Sequence, residues 1–142
     1  MSNRYEHNII PKSTAPNSPH TPVDVSMMTH YSSSASSVSV TGEGYYVGAY
    51  GSASAFDYAS GGGASASASV TITVTVDGVS VPSLAQSDSG SGGGGGTVYA
   101  HSVAVCTSLG GMYPFSKSLY VTNVVSASAS STNTYGTIYY WM

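Results

Sequence analysis

A chain of 142 residues has room for one domain with a single core, and needs neither disulfides nor a metal to hold it together. Only 6% of its residues are charged, against roughly 25% in an ordinary soluble domain, and its formal net charge is −3. The basic side chains are Arg4, Lys12 and Lys117, too few to neutralise a run of phosphates, and no apolar run approaches a membrane span, so neither nucleic acid nor a membrane is an expected partner.

Sixteen Val, four Ile, thirteen Thr and twelve Tyr stand against three Leu, two Glu, two Lys and one Gln. Residues that fit a pleated surface far outnumber good helix formers, and an all-β fold is expected. The single Cys106 has no partner for an internal disulfide and lies in the run Val103-Ala104-Val105-Cys106, where a small buried thiol fits. The first twenty residues hold no apolar stretch of signal-peptide length, which points to synthesis and folding in a cytoplasm. A surface of Ser, Thr, Gly, Asn and Tyr with so little charge gives weak protection against self-association. It suits a subunit held permanently in a larger body, or a secreted domain adapted to low charge.

Residues 1–30 are set apart by Pro11, Pro16, Pro19 and Pro22, which favour extended or turn geometry and bar the segment from a central strand. They read as an arm preceding a domain at 31–142. Tyr5, Ile9, Ile10, Val23, Val25, Met27 and Met28 give this arm more apolar surface than a spacer requires. It is expected to dock on a neighbouring subunit, the alternative being its own domain.

From Tyr31 the texture changes to short β runs. Val38 and Val40 alternate with Ser39 and Thr41 up to Gly42-Glu43-Gly44; Tyr45, Tyr46, Val47, Ala49 and Tyr50 follow, then Phe56 and Tyr58, and Gly61-Gly62-Gly63 interrupts. Val70, Ile72, Val74 and Val76 alternate strictly with Thr71, Thr73 and Thr75, the signature of a half-buried strand. Asp77-Gly78 then suits a type I′ hairpin turn, and Pro82 sends the end of the return strand to an edge. The stretch SDSGSGGGGG, 87–96, reads as a flexible loop. Thr97 to Thr107, Phe115 to Val125 and Thr134 to Met142 complete seven or eight strands, enough for an antiparallel β-sandwich of jelly-roll type with few helices. The alternating Ala and Ser runs at 52–55, 64–69 and 126–131 read as short exposed strand ends, with close approach of neighbouring backbones as the alternative.

Signals for chemistry are weak. The glycine run precedes Thr97-Val98 instead of Lys-Ser/Thr, so it is no phosphate loop. His7, His20, His30 and His101 have no ligand spacing, although three of them lie in the arm, where symmetry-related copies could converge on a metal. Serine is too abundant to mark a triad, no G-x-S-x-G elbow occurs, and Glu43, Asp57, Asp77 and Asp88 are too scattered for a glycosidase pair. No catalytic activity, cofactor or metal is expected. Aromatic residues carry what remains: the tyrosines offer platforms for sugars or anchors for a protein interface. Consecutive Tyr139, Tyr140 and Trp141 put aromatic rings on both faces of the last strand, which hints at a subunit contact there.

The Val/Thr strand closed by Asp77-Gly78, the glycine-rich excursion, the segment Phe115-Ser116-Lys117-Ser118-Leu119-Tyr120-Val121-Thr122 and the short aromatic strand at the C-terminus together resemble small β-sandwich virion proteins of tailed bacteriophages, of tail, fibre or head-decoration type. The resemblance covers about residues 42–142; the glycine run and Cys106 depart from it. It implies a homo-oligomeric structural role, often trimeric, with other copies and capsid or tail subunits as partners. Two other readings fit the residues: a receptor- or carbohydrate-binding tip domain of a phage fibre, and an extracellular filament or matrix subunit.

Overall fold

A computed structural model describes residues 28–142, and of 109–111 the backbone only. Eight strands account for nearly all of this: β1 (His30–Ser33), β2 (Ser37–Thr41), β3 (Gly44–Ala59), β4 (Gly62–Val76), β5 (Val79–Gly94), β6 (Val98–Phe115), β7 (Ser118–Ser128) and β8 (Ser131–Trp141). They form two four-stranded sheets with orders β1-β8-β3-β6 and β2-β7-β4-β5, antiparallel throughout. Strands 1 and 8, 2 and 7, 3 and 6, and 4 and 5 are paired, which is the winding of a jelly roll. The sandwich expected from the sequence is the fold found, and no described residue lies in an α-helix.

The core has two tiers. At one end large side chains meet between the sheets: Tyr46 from β3, Val70 and Ile72 from β4, Phe115 from β6, Leu119 and Val121 from β7, and Ile138 from β8. At the other end the filling is Ala55, Ala64, Ala66 and Ala100. The Ala/Ser runs are therefore not exposed strand ends. Their alanines line the interior, and the short side chains let the sheets converge.

That convergence also corrects the reading of 87–96 as a loop. Ser87–Gly94 continues β5 and pairs in register with Gly62–Ser69 of β4. A Cβ on Gly90 would lie 2.3 Å from the carbonyl oxygen of His101, and one on Gly92 2.4 Å from that of Tyr99. Here glycine is the only residue that lets β5 cross so close to the backbone of β6, so a composition typical of a flexible linker serves contact instead.

The wide end is laced by one carboxylate. Asp77 (φ 51°) and Gly78 (φ 83°) form the tight β4–β5 turn, as two left-handed residues do in a type I′ hairpin. The Asp77 carboxylate accepts hydrogen bonds from the backbone N–H groups of Ser116 (3.0 and 3.1 Å), Lys117 (2.6 Å) and Ser118 (3.0 Å) and from the Ser116 hydroxyl (3.2 Å). Burial pushes its pKa up, but these donors outweigh it and bring the group from 3.8 to about 2. The Ser-Lys-Ser of the 115–122 segment is thus a turn whose amides hold the carboxylate of a neighbouring turn. Beside it, Lys117 O accepts from Gly42 N (2.8 Å), and the last residue pairs with the first described ones through Thr29 N to Met142 O (2.9 Å) and Met142 N to Thr29 O (3.0 Å). The sandwich therefore takes in residues that the sequence assigned to the arm, from Thr29 onward.

Candidate docking face

Sheet β1-β8-β3-β6 holds one charged residue, Asp57, at its narrow end. There Asp57 accepts from Ser65 N (2.9 Å) and the Ser130 hydroxyl (2.7 Å), which hold its carboxyl below the ordinary range. No other Asp, Glu, Lys or Arg lies in its four strands, whose histidines are His30 and His101.

The registers of β3 with β6 and β8 give the outward rows directly. Tyr58 lies beside Tyr99; Phe56 beside His101 and Ser131; Ser54 beside Val103 and Asn133; Ser52 beside Val105 and Tyr135; Tyr50 beside Thr107 and Thr137. A bulge at Val47 shifts the register, after which Tyr45 sits between Pro114 and Trp141. Rings contact one another along this surface: Phe56 with Tyr99 (centroids 5.8 Å apart) and His101 (6.3 Å), Tyr58 with Tyr99 (5.6 Å), and Tyr50 with Tyr135 (5.9 Å). Yet they stay open to solvent, Tyr99 at 57%, Tyr58 at 54%, Val103 at 47% and Val105 at 45%. Inward from the same β6 residues point Ala100, Ser102, Ala104 and Cys106, all buried. Large side chains outside and small ones inside invert the usual pattern of a two-layer sandwich, whose outer faces are polar.

The opposite sheet follows the usual pattern. Its outer face carries Thr71, Thr73 and Thr75 of β4 beside Thr122 of β7, with the Thr73 and Thr122 hydroxyls hydrogen-bonded across the strands. Tyr120 and Val124 are its exposed apolar members on β7. The molecule is thus two-sided: hydroxyls on one broad face, aromatic rings and valines on the other.

The edges are defended where the aromatic face is not. On β5, Pro82 and a register break opposite Ile72–Val74 interrupt the free edge. On β6, the Asp88 carboxylate accepts from Val103 N (3.0 Å), while the Ser102 hydroxyl donates to Asp88 O (2.7 Å). On the other side β1 covers β8 only at 138–141, and Ser131–Gly136 has no outward partner strand among the described residues. A cleft of about 290 Å³ opens there between the sheets, lined by Ser34, Ser36, Asn123, Val125, Thr134 and Tyr135. Asn123 is buried and donates through Nδ2 to Tyr50 O (2.8 Å) and Thr137 O (3.3 Å), tying the sheets together; its Oδ1 has no partner among the described residues.

Of the residues singled out in the sequence, Tyr5, Ile9, Ile10, Val23, Val25 and Met27 lie outside the described residues. Met28 is half-buried just before the Thr29–Met142 pairing. Tyr139 is exposed on the aromatic face. Tyr140 points inward and stacks on Tyr31 (4.9 Å), and Trp141 stacks on His30 (4.0 Å), so β1 of the same chain covers much of both rings. Sequence reading missed Phe56, Tyr58, Tyr99, His101, Val103 and Val105 as a set. The signal was the alternation Tyr99-x-His101-x-Val103-x-Val105 against small residues, legible only once the small ones are known to face inward. Among the described residues no group of three or more His, Cys, Asp or Glu is placed to hold a metal ion. No protein-family model, curated protein or solved structure matches this chain.

Proposed function

We propose that the chain is a structural virion protein, of the tail, fibre or head-decoration type found in tailed bacteriophages, made in the host cytoplasm and assembled with other copies of itself and with capsid or tail subunits. The observation that carries this reading is the uncharged aromatic outer face of sheet β1-β8-β3-β6, which an independent soluble domain would leave at risk of nonspecific association. The jelly-roll winding is consistent with it, since viral capsid domains share that architecture, as do lectins. In this account the arm laces the subunit to a neighbour, adding extended chain to a free edge such as Ser131–Gly136 of β8.

The test is to remove residues 1–27, leaving the Thr29–Met142 pairing in place, and to measure mass by light scattering and attachment to particles. A smaller assembly that no longer attaches supports the lacing role; unchanged mass and unchanged attachment refute it. A second reading, a carbohydrate-binding tip domain, draws on the exposed rings of Tyr58 and Tyr99, whose planes are tilted 57° to one another, so that each alone offers a face on which a sugar could stack. A glycan array separates the two, because an architectural subunit binds no sugar.

A further inference from the structure

We infer that two copies join edge to edge along β8, about a two-fold axis that stands perpendicular to the sheets beside Thr134. This rests on the reading of the chain as a self-assembling subunit and names the contact that reading leaves open. It is a two-fold contact, unlike the three-fold one implied by the resemblance to phage proteins. The rotation keeps both aromatic faces on one side, so the pair offers a single continuous face to capsid or tail subunits.

The sandwich is unfinished along this side. Thr132 and Thr134 share the inward row of β8 with Ile138 and lie opposite the buried Ala55 and Ala53 of β3, yet both are exposed. Across the cleft, Val125 and Ala127 of β7 pack against the core and are only half-buried. Backbone groups lie open there too. Thr29 and Met142 exchange both hydrogen bonds, so every second residue of β8 before Met142 turns its N–H and C=O toward the lane of β1. That lane ends at Ser33, opposite Ile138, and the groups of Thr132, Thr134 and Gly136 have no partner strand among the described residues. On β7, Asn123 N donates to Ser36 O (2.8 Å), and the same alternation puts Val125 and Ala127 next in line, beyond the end of the β2 ladder.

Three features select a second copy as what closes this side. The first is that the opening fits itself. The free run of β8 extends from Ser131, where the strand begins, to Thr137, where β1 stands in the way, and its midpoint is Thr134. A two-fold there sets Thr134 opposite its counterpart and Thr132 opposite Gly136, so all the open N–H and C=O groups bond across and the inward rows stay in phase. Ser131 of each copy then meets Thr137 of the other, and the two bounds of the run exchange places, as an isologous contact requires. The second is that two edges are open at once. A single added strand, such as the arm of a neighbour, pairs with β8 or with β7 and leaves the other bare; the rotation brings up a second β8 and a second β7 together, covering Thr134 and Val125. The third is that nothing obstructs it. Residues 124–128 and 131–137 hold no proline, no charge and no register shift, whereas the edges at β5 and β6 carry Pro82, a bulge and Asp88. The arm is then left to lace the pair to capsid or tail subunits.

The register supplies the test, made on the full chain. Asn133 of one copy and Tyr135 of the other form a non-hydrogen-bonded pair, the close kind with Cα atoms about 4.5 Å apart, while each lies about 8 Å from its own counterpart. Under mild oxidation an equimolar mixture of Asn133→Cys and Tyr135→Cys therefore gives a disulfide-linked dimer and neither variant alone does; Cys106 is buried and does not compete. Thr134→Pro removes an N–H that points away from β3, and by sedimentation equilibrium raises the dissociation constant roughly thirtyfold for the two bonds lost on the axis. Thr134→Lys, which sets like charges together on the axis, replaces it if the proline variant fails to fold. Cross-linking confined to the mixture, with association weakened by the Thr134 variants, supports the inference. No cross-link in the mixture, equal cross-linking in the single variants, or Thr134 variants that associate like wild type overturn it. If the mixture does not cross-link while removal of 1–27 disperses the assembly, the edge contact fails and the assembly reading stands; if the wild-type chain is monomeric and attaches to nothing, both fail.

Discussion

Replacing Asp77 by Asn tests how the wide end of the sandwich is held. Asn tolerates the left-handed turn conformation as well as Asp and keeps one side-chain oxygen, so the substitution removes charge and one acceptor while sparing the turn. In the wild type the carboxylate gathers three backbone amides and a hydroxyl, which lower its pKa from 3.8 to about 2. Taken at full value such a shift corresponds to roughly 2.5 kcal/mol; with allowance for solvent around this half-exposed turn, about 1–2 kcal/mol is expected. The folded chain binds the Asp77 proton more weakly than the unfolded chain. The contribution is therefore complete above about pH 4 and disappears as pH falls through about 2. Urea unfolding of both proteins at one concentration, from pH 7 to pH 2, should show Asp77→Asn less stable by that amount at neutral pH and the two curves converging toward pH 2. The other carboxylates are common to both proteins and cancel in the difference. Curves that stay parallel over the whole range would refute the lacing role of the carboxylate.

Two further predictions concern the narrow end and the β6 edge. Gly90→Ala and Gly92→Ala each force a Cβ against the β6 backbone and should cost about 1–3 kcal/mol, whereas Gly93→Ala meets only Gly62 O at 3.7 Å and should stay within about 0.5 kcal/mol of wild type; thermal melts separate the three, and equal effects would mean that the glycines are not in contact. Asp88→Ala frees the Val103 N–H at the β6 edge, so turbidity on concentrating the protein should rise while the melting temperature falls by only a few degrees, roughly the worth of one exposed hydrogen bond; unchanged turbidity would remove Asp88 from the edge defence.

The fold class was legible because the alternation from Val70 to Val76, the Asp77-Gly78 turn and the edge-marking Pro82 are local signals that tertiary context left intact. What misled was small residues. Gly90 and Gly92 have the composition of a linker, and only the nearness of Tyr99 and His101, remote in hydrogen-bonded register though close in sequence, gives them a place in a strand. The Ala/Ser runs look too weakly apolar to build a core, yet they do so where the sheets converge and nothing larger fits. The same cause hid the aromatic face. With Ala100, Ser102, Ala104 and Cys106 as alternatives, ordinary hydrophobic patterning turns Val103 and Val105 inward, and the narrow interior turns them out. Tyr139, Tyr140 and Trp141 were recognised as a group, but their distribution depends on β1, whose His30 and Tyr31 supply stacking partners that no local pattern announces.

The claim that organises this account is that the ring-bearing side of the sandwich is covered in the assembled protein. Hydroxyl-radical footprinting of the full chain as isolated compares that side with an internal reference, Tyr120, which is 46% exposed on the hydroxyl-bearing sheet. The account predicts that Tyr58, Tyr99 and Phe56 are protected while Tyr120 is oxidised; oxidation of Tyr58 and Tyr99 as fast as Tyr120 would contradict it.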